Sequence, residues 1–87
     1  MTNTAQRFER HVTALAGIYY RIDKGLLTGR NSDSTGAAID GHFNAARALM
    51  RAELNDESSP IFAALDRRPK FAAKWDRIER RYYGVHI

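Results

Sequence analysis

Residues 8–26 read FERHVTALAGIYYRIDKGL, and within them Phe8, Val12, Leu15, Tyr19, Ile22 and Leu26 recur at alternating steps of four and three. That spacing puts all six side chains on one face of a helix, whereas a strand would scatter them over both faces of a sheet. The stretch predicts a long amphipathic helix from about Thr4 to Thr28, with Thr4 as N-cap and Thr28-Gly29-Arg30-Asn31-Ser32-Asp33 as stop and turn. Gly17 inside it costs about 1 kcal/mol relative to alanine, which predicts a neighbouring helix passing close at that point. Gly25 marks an earlier place where the helix can fray.

Working outward, a second helix is expected over residues 34–55, beginning at Asp33 or Ser34 and turning Ile39, Phe43, Ala46, Met50 and Leu54 to one side. Gly36 and Gly41 weaken its first turns, so a shorter helix capped by Asp40 is the alternative. Asn55-Asp56-Glu57-Ser58-Ser59-Pro60 reads as a break and a new start, with a serine cap, proline at the first helical position and acids near the positive end of the dipole. A short third helix, about 60–66, then buries Ile61, Phe62 and Leu65. Pro69 biases Arg68 away from helical geometry, and a last helix spans about 70–83. Gly84 suits a left-handed C-terminal position with Val85 folding back beyond it. No segment of strand period and no internal repeat interrupts this pattern. The expected fold class is all-α: a compact bundle of three main helices and one short one, residues 1–87 forming a single helical domain.

Eighty-seven residues suffice for one core but not for a deep cleft between lobes. The absence of cysteine excludes disulfides, thiolate metal sites and a cysteine nucleophile. No charged-then-apolar leader opens the sequence, and no apolar run approaches the roughly 18 residues that span a bilayer, so the expectation is a cytoplasmic protein without a membrane partner. The net charge of +4 is uneven: residues 1–33 carry +2, residues 34–66 carry −3 and residues 67–87 carry +5.

The fifteen residues from Arg67 to Arg81 hold seven cations against two carboxylates. On a helix, Lys70, Lys74, Arg77 and Arg81 recur at steps of four, three and four, and Phe71, Trp75, Ile78 and Tyr82 follow one residue later, so a basic stripe lies beside an apolar one. Arg67, Lys70, Lys74, Arg77 and Arg81 are the candidate contacts to backbone phosphates, with Trp75 or Tyr83 available to stack on a base. Trp75 sits at core spacing, which makes Tyr83 the better exposed candidate. The bland counterpart is a solvated face whose long side chains cover the rim of the core, with Asp76 pairing Arg80.

Neighbours on a helix point about 100° apart, so in Tyr19-Tyr20 and Tyr82-Tyr83 the outer members are Tyr20 and Tyr83. With Leu27, Val85 and Ile87 they define a candidate dimer or partner patch, and Ile18 adds apolar surface outside the main stripe of the first helix. Homo-oligomerisation is compatible with this surface. His11 and His42 form no metal pair within their own helices and read as ordinary boundary histidines. Arg81-Tyr82-Tyr83-Gly84-Val85-His86 resembles the arginine-four-spacer-histidine element of HEPN-type ribonucleases. The resemblance implies Arg81 stabilising a strained phosphate and His86 moving protons. The residues themselves favour a non-enzymatic binding protein, with no cofactor, whose basic last helix docks on nucleic acid or nucleoprotein. The alternative is an inhibitor or adaptor docking on an acidic protein surface of a nucleic-acid-handling complex.

Overall fold

A computed structural model describes residues 3–25, 32–54 and 58–84. Among them are four helices and no strand: α1 (Thr4–Asp23), α2 (Ser32–Ala52), α3 (Pro60–Arg67) and α4 (Pro69–Gly84). No helix is long and apolar enough to cross a membrane among these residues.

The start of α1 is capped one residue earlier than Thr4. Asn3 accepts from the Gln6 N–H at 2.8 Å while the Gln6 side chain accepts from the Asn3 N–H at 3.3 Å, a reciprocal capping box that serves two otherwise orphaned donors. The helix stops at Asp23 rather than near Thr28. Gly25 adopts φ 72°, a left-handed conformation that ends helical hydrogen bonding, and its N–H closes onto the Ile22 carbonyl at 3.0 Å. Most of the expected stop signal at 28–33 lies outside the described residues. No neighbouring helix presses on Gly17, where an added Cβ would meet nothing within 4 Å.

α2 begins at Ser32, so Asp40 is interior and caps nothing; its carboxylate accepts from the Tyr82 hydroxyl at 2.7 Å. Because α2 ends at Ala52, Leu54 falls out of helical phase and is 67% exposed, not buried with Phe43 and Ala46. Glu53 is buried in its place. Its carboxylate accepts from the Ser59 hydroxyl and, at 3.3 Å, from the Ile61 N–H, while Ser59 Oγ accepts from the Phe62 N–H at 3.2 Å. The start of α3 therefore has a second cap behind the first. Burial pushes the Glu53 carboxyl up, but the hydrogen bonds from Ser59, Thr4 and the Ile61 backbone outweigh it and hold the group below the usual range.

Arg68, at φ −124° and ψ 81°, makes the extended corner required before proline, and Pro69 itself opens α4. Gly84 is the last residue of α4 and is not left-handed, since Gly25 alone among the described residues has positive φ. Ion pairs from Glu9 to Arg68 and from Asp23 to Arg81 run in the same sequence order, so α1 and α4 are parallel. Contacts of Asp40 with Tyr82, and of Arg47 with Glu79, run in opposite order and make α2 antiparallel to α4, and so to α1.

The core joins Phe8, Val12, Leu15 and Tyr19 of α1, Phe43 and Ala46 of α2, Ile61 of α3, and Phe71, Trp75 and Ile78 of α4. Aromatic rings run through it in series: Phe71 meets Phe8 at 5.9 Å, Phe8 meets Trp75 at 5.0 Å, Trp75 stacks on Phe43 at 5.4 Å, and Phe43 stacks on Tyr82 at 3.8 Å. Each such pair adds about 0.5–1.5 kcal/mol beyond the area it buries. The Trp75 indole nitrogen is buried without a hydrogen-bond acceptor among the described residues. Ile18, expected outside the main stripe, is buried as well, because a helix flanked by two neighbours covers an arc wider than a single stripe.

Candidate anion-binding groove between the first and last helices

Parallel packing of α1 against α4 leaves a groove along their outer seam. It is lined by Ala16, Tyr19, Tyr20 and Asp23 of α1 and by Lys74, Arg77, Ile78 and Arg81 of α4. Lys74 also lines a second hollow, with Arg68, Pro69, Lys70 and Phe71, at the corner where α4 begins. Of the stripe, Lys74, Arg77 and Arg81 line the α4 wall of the groove, and Lys70 lies one turn earlier on the same face, beside Lys74 in the second hollow.

These cations differ in what they face. The Arg81 guanidinium lies 2.8 Å from the Asp23 carboxylate and 4.5 Å over the Tyr19 ring. The hydrogen bond from Arg81 holds the Asp23 carboxyl below its ordinary value, and Asp23 in return raises Arg81. Elsewhere Arg68 pairs with Glu9, Arg80 with Asp76 at 2.9 Å and Arg47 with Glu79 at 3.2 Å. Among the described residues no ion pair engages Lys70, Lys74 or Arg77. Three adjacent members of the stripe are therefore neutralised by no ion pair among the described residues.

Besides Lys70, two of the expected site residues stand apart from the groove lining. Arg67 ends α3 and turns its Nε back to the Ala63 carbonyl at 3.4 Å. Tyr83 follows Lys74 by nine residues, which is about 180° around the helix. It is 49% exposed on the flank that faces α2, with Arg47 6.0 Å over its ring and Phe43 meeting it edge-on at 5.5 Å. Of the two tyrosines that line the groove, Tyr19 is buried and Tyr20 is 60% exposed, with Lys24 5.6 Å over its ring. Tyr20 is an outer tyrosine by helical angle, but its place beside Lys74 and Arg77 depends on which side of α4 packs on α1. No sequence period reports that. Leu27, Val85 and Ile87, and the His86 of the ribonuclease-like element, lie outside the described residues; that element's Arg81 is, among the described residues, the one cation of the stripe held by a carboxylate.

Among the described residues no group of three or more histidine, cysteine, aspartate or glutamate side chains gathers around a common point. Comparison with protein-family models, with curated proteins and with solved structures found no match for the chain.

Proposed function

We propose that the protein is a non-enzymatic helical binding protein that holds an anionic partner, the sugar-phosphate backbone of nucleic acid, in the groove between α1 and α4. The observation that carries this reading is the run of Lys70, Lys74 and Arg77 along one edge of α4 without carboxylate partners among the described residues, while Arg47, Arg68, Arg80 and Arg81 each have one. Charged side chains spaced along one helix edge suit repeated phosphates, which attract cations without regard to sequence. Arg81 contributes less than its neighbours because Asp23 already neutralises it.

Fluorescence anisotropy with labelled DNA and RNA over a range of salt tests the proposal. Binding at low salt is expected to weaken steeply as salt rises. Replacing Lys70, Lys74 and Arg77 together by glutamate is expected to lower affinity at least tenfold and to reduce the salt slope by about three. Affinity unchanged by that replacement overturns the reading.

A second reading, a module that docks on an acidic protein surface, is supported by a notch between α2 and α3. There the exposed Leu54 lies beside Met50 and Phe62, with Arg47 and Arg51 alongside. An apolar floor rimmed by arginine suits a partner that is acidic at its edge. Pull-down of the tagged protein with and without nuclease separates the two readings: capture that survives nuclease and is lost in Leu54→Asp favours the notch.

A further inference from the structure

His11 and His42, thirty-one residues apart in sequence, face each other across the α1–α2 seam with their Nδ1 atoms 3.0 Å apart. Both rings are partly buried, their centroids 5.3 Å apart and their planes 51° from each other. Neutral imidazole carries one ring N–H and one bare lone pair, so this contact holds as a hydrogen bond only when one ring donates from Nδ1 and the other accepts there. The same two nitrogens can instead each give a lone pair to a cation, which then takes the place of the shared proton. Metal–imidazole bonds run to about 2.0–2.1 Å, and two such bonds spanning this separation enclose about 91–97° at the metal. That is the angle between adjacent positions of a tetragonal or octahedral ion, narrower than the tetrahedral angle.

We infer that His11 and His42 form a two-imidazole clip for a divalent transition-metal ion of the Cu²⁺ or Ni²⁺ type, which joins α1 to α2 and keeps water in its remaining positions. The ligand chemistry selects the ion: imidazole suits copper and nickel, and affinity for a nitrogen site rises toward Cu²⁺ along the divalent series. No third carboxylate or histidine among the described residues joins the pair, so the ion is exchangeable rather than sealed. Each ligand comes from a different helix, so the bound ion stabilises only the folded chain and raises its melting temperature with metal concentration. The inference does not depend on the groove between α1 and α4.

The test is titration of the full chain with Cu²⁺ and, separately, Ni²⁺ in a non-chelating buffer near neutral pH, followed by calorimetry and thermal melting. One equivalent is expected to bind and to raise the melting temperature. Affinity should fall at least tenfold in His11→Ala and in His42→Ala, and should be unchanged in His86→Ala, which removes the third histidine. In the unaltered protein, ring signals of His11 and His42 are expected to broaden first as paramagnetic Ni²⁺ is added, an arm that needs no variant to fold. Absence of binding, binding retained in the double His11→Ala and His42→Ala variant, or broadening confined to His86 overturns the inference.

Discussion

Glu53 shows how much one side chain decides. Its carboxylate accepts from Ser59 and from the Ile61 N–H, tying the end of α2 to the start of α3. Glu53→Ala leaves those buried donors without an acceptor and is expected to cost about 1–3 kcal/mol in urea unfolding. Because its carboxyl is held below the ordinary value of 4.5, the unfolded chain takes up the proton first as pH falls. The stabilisation is therefore complete above that value and is lost as pH drops through the lower folded-state value. Glu53→Gln is expected to flatten the acid side of a plot of melting temperature against pH; an unchanged slope contradicts the assignment. Sequence reasoning assigned the acidic role at α3 to its neighbours Asp56 and Glu57, since only the turn after Ala52 brings Glu53 back over the helix. The His11–His42 contact was equally illegible, because two positions so far apart share no local period.

At the scale of elements, the inward faces were legible and the ends were not. Steps of four and three identified Phe8, Val12, Leu15 and Tyr19 on α1, and Phe71, Trp75 and Ile78 on α4, all of them buried. Periodicity carries no information on where hydrogen bonding stops. That depended on the left-handed Gly25 for α1 and on the early end of α2, which left Leu54 in solvent. The open space around Gly17 leads to a prediction at this scale. Gly17→Ala meets no neighbour and restricts the unfolded chain, so it is expected to stabilise the protein by about 1 kcal/mol, read from thermal or urea unfolding. A loss of stability would mean that α1 packs more closely there than the structure indicates.

For the whole molecule, ion pairing among the described residues separates the cations that face a carboxylate from those that do not. The spacing along α4 made the stripe legible, but which of its members faces a carboxylate depends on α1 lying parallel beside it, a matter of topology. Removing one carboxylate is expected to change that division: Asp23→Asn releases Arg81 into the groove and should raise affinity for nucleic acid a few-fold, with a steeper salt slope, in the same anisotropy assay. Unchanged binding would place the contact surface away from Arg81. Trp75 is the chain's single tryptophan and is only 3% exposed, wedged between Phe8 of α1 and Phe43 of α2. Three helices therefore meet on one intrinsic fluorophore. Its emission should shift to longer wavelength when they separate, so that an unlabelled sample reports its own assembly state in a simple fluorimeter.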